Sequence, residues 1–485
     1  MNTKPNIKIN FTFKLAYQIL SVIIPFVTVP YISRVLGPEG VGSYSFLSSI
    51  NKYFIILASL GTILYGTREI SRTRDNKTQQ SSAFWEIELL ICITTVISLL
   101  FWICLIYLYP SERAYFIAFI PLLLAVIFDI SWFYTGIEKI YYSVIWNFIS
   151  KIIGLIGVFV FVKTKNDLFN YILLMSMSTL IGNMSMWLFL KRELVKINFN
   201  TLRIFRHFKP TLKYFVTAIA ISIYTVLDKT MIGIFSDGPL ENGYYEQVTK
   251  VMSIITPFAF GALNEVMIPR MSYLYQKNDI DEICQRISNS IDFELLICIG
   301  SVFGIISVAP SFVKLFFGPE FLPAVPLLQL MCPILIPICF STCSGSHYYV
   351  PSGKIFDGTK FTIIGALINI AINIPLIMKY NAIGAVIASL VAESIIAVLY
   401  LYGSRQYLKI RTIFSCSCKK IIAAIIMLTI LLGLQKFVYL SDLELLLTQV
   451  FVGILVYFSI LFVLKDNSVI SISNFIKSRL VRKNA

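Results

Sequence analysis

The chain has 485 residues, of which 57% are apolar and only 14% charged, with a formal net charge of +15 at neutral pH. An ordinary soluble domain carries about 25% charged residues, so this composition excludes a set of water-soluble domains and points to a polytopic membrane protein. The excess of Lys and Arg sits in short loops between apolar stretches, where positive-inside sorting accounts for it, and no nucleic-acid partner is expected.

Apolar runs of about 20 residues, each long enough to cross a bilayer, recur along the chain. The first, Phe11 to Ile32, has no small-residue cleavage site and reads as a retained span rather than a removable signal. Runs between polar breaks predict helices over 11–32, 41–64, 84–109, 115–137, 143–163 and 169–190. The polar segment Lys191 to Lys213, with seven Lys or Arg, follows, and spans resume over 214–236, 245–270, 291–316, 324–343, 358–378 and 382–402. Two more, 421–439 and 445–464, precede a tail whose Val469 to Arg482 stretch has the spacing of an interfacial helix. The expected fold is all-α, with about 14 transmembrane helices. Its expected domains are an N-terminal six-helix lobe (1–190), a basic cytoplasmic linker (191–213), a C-terminal six-helix lobe (214–403) and two extra helices with a basic tail (404–485). Most of the 41 Lys and Arg fall on the side of the N-terminus, the even-to-odd loops and the tail, which puts both termini in the cytoplasm.

Proline interrupts the first span at Pro25 and Pro30, the eighth at Pro257 and the tenth at Pro326, Pro333 and Pro337. Such breaks line cavities or hinges, or are simply tolerated in membranes. Gly42-Ser-Tyr44 opens the second span and Gly243-Tyr-Tyr245 the eighth, followed by Lys52 and Lys250, a weak repeat that two duplicated lobes would explain.

Four cations, Lys52, Lys151, Lys229 and Lys250, fall within predicted spans. A cation at the bilayer centre costs about 2.5 to 3.5 kcal/mol, so it faces a cavity, a partner or a substrate. Lys52 lies about eleven residues into its span, roughly 16 Å deep. Lys151, Lys250 and Arg34 lie nearer span ends, where snorkelling is open to them. The substrate-binding candidates are therefore Arg34, Lys52, Lys151, Lys229 and Lys250, a set suited to an anionic, phosphate-like passenger. Asp228, Asp129 and Glu393 are candidates for a coupling ion or for salt bridges, with Asp292 and Glu294 at a span entrance. Asp228 and Lys229 diverge by about 100° on a helix, so each needs another partner. Tyr44, Tyr53, Tyr224, Tyr244 and Tyr245 lie near these charges, as sugar-stacking surfaces or as part of the interfacial belt. The nine cysteines are scattered, and the closest pair, Cys416-Ser-Cys418, has no second pair at metal spacing. No disulfide, metal or cofactor is expected. His207 and His347 are placed in cytoplasmic loops and form no catalytic cluster. No G-x-x-x-x-G-K-[ST] phosphate loop occurs, and the chain does not read as an enzyme.

The stretch Asp129-Ile-Ser-Trp132-Phe-Tyr-Thr-Gly136-Ile-Glu138, followed by Asn147, Lys151 and Asp167, closely resembles the Wzx-type polysaccharide flippases of the multidrug, oligosaccharidyl-lipid and polysaccharide exporter superfamily. Pro30-Tyr-Ile-Ser-Arg34-Val-Leu-Gly37-Pro-Glu-Gly40-Val-Gly42-Ser-Tyr44 looks like the family's first loop and Tyr65-Gly66-Thr-Arg68-Glu69 like its second. Leu227-Asp228-Lys229, Phe317-Gly318-Pro-Glu-Phe321 and Asn369-Ile-Ala-Ile-Asn373-Ile-Pro375 extend the likeness. The resemblance implies two six-helix lobes around a central cavity plus two C-terminal helices. It implies alternating access that carries undecaprenyl-pyrophosphate-linked oligosaccharide repeat units, as of O-antigen or capsule, across the bacterial cytoplasmic (inner) membrane. By the same likeness Arg34, Lys52, Asp228 and Lys229 are cavity candidates, and the Asp129 to Glu138 motif is largely structural. Partners expected on this basis are the lipid-linked oligosaccharide and membrane lipids, with a proton or sodium as candidate coupling ion and a polysaccharide polymerase as candidate neighbour. The alternatives within the superfamily are a lipid II flippase and a cation-coupled drug exporter, whose cationic passengers suit a lysine-rich cavity poorly.

Overall fold

The computed structural model describes residues 7–408, 410–438 and 440–474, and side chains from residue 24 onward except 217, 220, 221, 223–225, 262 and 410–416. The readings placed on Tyr224 and Cys416 and on the tail beyond residue 474 lie outside what is described. The described residues are helical and contain no strand. Eleven segments are long and apolar enough to cross a membrane. Two of them, Ile24–Arg72 and Ile355–Tyr407, run 49 and 53 residues. At 1.5 Å per residue each measures more than twice the ~30 Å hydrocarbon core, so each supplies two crossings. Adding the 28-residue helix Phe208–Phe235 gives the multi-pass architecture that the apolar runs called for.

By contact the chain divides into two compact units, Met1–Gly233 and Ile234–Ala485. The first holds α1 (Ile7–Ser59), α2 (Thr62–Arg72), α3 (Lys77–Leu108), α4 (Arg113–Ala118), α5 (Ile120–Phe128), α6 (Ser131–Gly136), α7 (Ile140–Phe161), α8 (Leu168–Met186) and nearly all of α9 (Phe208–Phe235). The second holds α10 (Pro239–Thr256), α11 (Ala262–Lys277), α12 (Ile280–Phe316), α13 (Ala324–Met331), α14 (Leu335–Ser344), α15 (Ile355–Ser404), α16 (Ile410–Phe437) and α17 (Asp442–Val463).

Several boundaries differ from the sequence reading for local reasons. The expected loop over 33–40 shrinks to one residue, Gly37, at φ 67°, a conformation that glycine alone adopts freely. Pro38 then starts the next helix at a position that needs no N–H. Tyr65 to Glu69, expected as a loop, lies in α2, an amphipathic helix after a turn at Leu60 and Gly61. The clustered prolines sit where a missing N–H costs least: Pro326 and Pro337 fall in the first turns of α13 and α14, and Pro333 falls in the 3-10 turn between them. Pro257 opens a π-turn over Pro257–Gly261.

Membrane helices approach closely where residues are small. In the first unit Gly154 lies against Ser178, Gly182 lies against Ser150, and Ser178 Oγ donates to the Ser150 carbonyl at 2.6 Å, joining α7 to α8. A β-carbon at Gly66 would meet the Trp132 ring at 2.5 Å, and one at Gly136 would meet Ile70 at 2.8 Å, so α2 and α6 pack through glycines. Around them Phe84, Trp132, Phe133 and Tyr134 form a buried aromatic core, and Tyr134 Oη donates to the Met186 carbonyl at 2.8 Å. The Asp129 to Glu138 motif thus builds the packing of the first unit.

In the second unit the ammonium of Lys420 on α16 is fully buried. It donates to Asp292 of α12 and, at 2.9 Å, to Asp466 after α17, and Ser468 also donates to Asp292. This cluster fastens the last two helices to α12. Replacing Lys420 with Met should cost about 3 to 5 kcal/mol, because two buried carboxylates lose their counter-charge. Adding Asp292→Asn and Asp466→Asn should recover part of the loss, read as thermal unfolding of the detergent-solubilised protein.

Candidate functional site

Within the first unit the polar face of α1 meets α9. Ser49 Oγ and Thr230 Oγ1 are 2.8 Å apart, and Tyr53 Oη lies 3.2 Å from the same Thr230 oxygen. Gly233 lets this contact form, since a β-carbon there would strike the Phe46 ring at 2.0 Å. The patch puts Lys52, beside Tyr53, on the helix stretch next to Asp228 and Lys229, which precede Thr230. Lys52 is exposed and has no hydrogen bond or ion pair among the described residues. Asp228 and Lys229 are half-buried and engaged with neighbouring groups.

The other candidate cations do not join this patch in the same way. Arg34 lies just before the Gly37 break, and Lys52 about 20 Å of helix beyond it, so the two act at different depths. Arg34 and Lys151 are exposed and engaged with neighbours. Lys250 on α10 lies 3.3 Å from Glu246 one turn earlier, an (i, i+4) pair that accounts for its charge. Of the acidic candidates, Asp129 accepts the Ser131 N–H at 3.0 Å just before α6, at the edge of a cavity of about 180 Å³ lined also by Thr62, Trp132 and Asn183. Glu393 is buried in α15 with no partner among the described residues.

Sequence reasoning missed two buried polar clusters. Lys420 was hidden at the predicted edge of a span. The second is centred on Glu86 of α3, which accepts the Arg203 N–H at 2.7 Å, the Arg206 guanidinium at 2.6 Å and His207 Nε2 at 2.8 Å. The other ring nitrogen of His207 lies 2.6 Å from Tyr65 Oη. His207 is therefore a buried tie between α2, α3 and the basic segment before α9. Burial pushes its pKa below the ordinary value, against the opposing pull of Glu86. His347, expected in a loop, is instead fully buried in the π-turn Gly345–Tyr349 after α14, with Nδ1 3.1 Å from Cys343 Sγ. Glu88, in the first unit, is not singled out by sequence reasoning, and Glu294, in the second, is placed only at a span entrance; both are buried, and their carboxyl oxygens accept from no N–H or O–H among the described residues.

An open groove of about 420 Å³ lies on the second unit between α12, α16 and α17, lined by Leu296, Gly300, Gly304, Leu431, Gly453 and Tyr457 among others. Its lining is apolar apart from a few groups such as Gln449, which suits a hydrocarbon chain.

These features define a multi-pass helical transporter whose first unit presents a free lysine beside a hydroxyl-rich patch. The fold has solved counterparts. A lipid II flippase, MurJ, in an inward closed conformation matches with a TM-score of 0.69 at 17% identity, over 93% of this chain and 98% of that one. An inward-facing multidrug resistance MATE family transporter of the MOP superfamily matches with a TM-score of 0.61 at 15% identity, over 79% of this chain and 94% of that one. In sequence, a protein of Escherichia coli (strain K12) named as an O-antigen transporter is 24% identical over 414 residues, 84% of this chain and 99% of that protein. A Haloferax volcanii protein named as a low-salt glycan biosynthesis flippase, Agl15, is 26% identical over half of each chain. Residues 7–275 match the family model described as polysaccharide biosynthesis protein, and the chain belongs to that family.

Replacing His207 with Ala should lower stability by about 1 to 3 kcal/mol by leaving Glu86 and Tyr65 each short of a bond. Because burial holds the His207 pKa below that of the unfolded chain, the unfolded state takes up the proton first, and acidification through the ordinary imidazole range should weaken the wild type. Thermal unfolding across pH should show that slope reduced in His207→Ala.

Proposed function

We propose that this polysaccharide flippase carries an undecaprenyl-pyrophosphate-linked oligosaccharide repeat unit from the cytoplasmic to the outer leaflet of the bacterial inner membrane, by alternating access and with both termini in the cytoplasm. The observation that carries the reading is Lys52, an ammonium in the middle of a predicted span with no carboxylate partner among the described residues, next to the Ser49–Tyr53–Thr230 patch. An ammonium kept at that depth without a counter-ion is costly unless an anion visits it. Pyrophosphate answers that need through charge-assisted hydrogen bonds.

Each glycan hydroxyl costs several kcal/mol to strip of water in an apolar medium, so the head group needs a hydrated route. The hydroxyls of Ser49, Tyr53 and Thr230 offer such a route hydrogen bonds of the kind sugars exchange with water. In this reading Lys229 is the nearer helper to Lys52, since Arg34 lies at another depth. The prenyl chain stays in hydrocarbon, and the apolar groove on the second unit has the chemistry to receive part of it. Attraction to the pyrophosphate must stay moderate so that the passenger leaves. Export of a roughly dianionic head group from a negative interior gains about 2.3 kcal/mol per charge per 100 mV, so the membrane potential can contribute without nucleotide hydrolysis.

Reconstitution in liposomes with a defined lipid-linked oligosaccharide tests the reading. Lys52→Ala should slow flipping about 10- to 100-fold, the worth of one charge-assisted hydrogen bond, while Lys52→Arg keeps most of the rate. Lys250→Ala should change it by less than about threefold, because that ammonium is already paired. A wild-type rate in Lys52→Ala would remove Lys52 from the site. Preference for lipid II or for a cationic drug in the same liposomes would favour the alternative passengers.

A further inference from the structure

Helices α3 and α12 carry the same pattern: Glu86-Ile-Glu88-Leu-Leu-Ile-Cys92-Ile93 in the first unit and Asp292-Phe-Glu294-Leu-Leu-Ile-Cys298-Ile299 in the second. From the inner glutamate to the last isoleucine the two are identical. The structure gives the two acids of each copy the same division of roles. The outer acid ties down the segment that follows its lobe's sixth membrane crossing. Glu86 holds Arg206 and His207, and Asp292 holds Lys420. The inner acid, two residues on and so turned by about 200° around the helix, faces elsewhere.

Glu88 is 2% exposed and Glu294 0%; their carboxyl oxygens accept from no N–H or O–H among the described residues, and the one donor beside Glu294 is the weak Cys339 thiol. What surrounds them cannot hold a negative charge. Asp129, at the end of α5, is the charged group that acts on Glu88 from a neighbouring helix, and the Cys92 thiol stands one turn away on α3. Around Glu294 stand the thiols of Cys339 and Cys343 on α14 and of Cys298 on α12, with His347 beyond Cys343. From α16 the Lys420 ammonium is taken by Asp292 and Asp466, and from α17 the Tyr457 hydroxyl donates to the Leu296 carbonyl at 3.0 Å. Thiols are weak donors, and Asp129 brings a like charge. An ionised carboxylate buried this way would cost several kcal/mol, so the neutral acid is the form this packing accommodates. A leucine would fill either place at lower cost. A polar group that breaks the rules of packing at the same step of two copies marks a function rather than an accident.

We propose that Glu88 and Glu294 are a matched pair of proton-binding sites, one in each unit, each holding its proton in this conformation and passing it to water when transport opens its surroundings. The ligand is the proton itself. Its link to transport rests on the flippase reading above, whereas its binding does not. Asp129, whose charge acts on Glu88, would then tune the first site and not carry the proton.

Infrared spectroscopy of the full-length protein in lipid tests binding without any transport. At neutral pH the wild type should show the carbonyl band of protonated carboxyls, and Glu88→Gln and Glu294→Gln should each remove part of it. Absence of that band in the wild type, or its survival in both variants, would overturn the proposal. Glutamine keeps the shape of the neutral acid, and titrating the wild-type band needs no variant at all. In liposomes, wild-type flipping should depend on pH with a limiting slope of about tenfold per pH unit for each coupled proton, and the dependence should become shallower in each variant. Unchanged pH dependence in both variants would overturn the coupling. If the wild type flips no lipid-linked glycan under any gradient, the flippase reading fails, and the infrared band still decides whether the two glutamates hold protons.

Discussion

In a bilayer every polar group within the hydrocarbon must be satisfied by the protein itself, and this constraint organises the whole chain. Most of the buried charge obeys it. Lys420 is shared between two aspartates, Glu86 takes three donors, and Glu193 takes Lys139 and, at 3.7 Å, Lys77. Each of these clusters lies near a helix end and joins segments far apart in sequence, so charge that would be a liability becomes a fastening. Against that background Lys52, Glu88 and Glu294 stand out as groups without an ion-pair or strong hydrogen-bond partner among the described residues.

The same constraint shapes the backbone. Breaks within the long helices α1 and α15 are reduced to the single residues Gly37 and Asn381, which leaves few backbone N–H and C=O groups outside the helical ladder. The prolines clustered between α13 and α14, and Pro257, fall in first turns, a 3-10 turn and a π-turn, where the ladder is already open, whereas Pro25, Pro30, Pro269, Pro310 and Pro375 lie inside long helices. Glycines at 66, 136, 154 and 182 bring helices into the contact that dispersion alone must stabilise when lipid competes for every apolar face. The outward faces stay greasy, with Leu100 and Phe101 more than half exposed, as a lipid solvent requires.

Much of this was legible in the residues. Apolar length gave the membrane helices, because about 20 residues per crossing is a hard physical requirement. The Asp129 to Glu138 motif announced the family, and its place in the packing explains why those aromatics occur together. The Glu246–Lys250 pair is readable from spacing alone, although Lys250 stands in the sequence reading among the substrate-binding candidates or as a snorkelling residue. Tertiary burial was not readable: His347 and Lys420 lie beside polar residues and look like loop or edge positions until neighbouring helices close over them. The repeated Glu-Leu-Leu-Ile-Cys-Ile was present in the sequence, but only the structure shows that its glutamates lack N–H or O–H partners while the acids two residues earlier have them.

The central claim is that Lys52 receives a diphosphate. Binding of undecaprenyl pyrophosphate and of undecaprenyl monophosphate to the protein in lipid nanodiscs, followed by native mass spectrometry for wild type and Lys52→Ala, measures it without transport. A preference for the pyrophosphate of about tenfold or more, erased in Lys52→Ala, is expected from one charge-assisted contact to the extra phosphate. Equal binding of the two lipids, or a preference that survives the substitution, would contradict it.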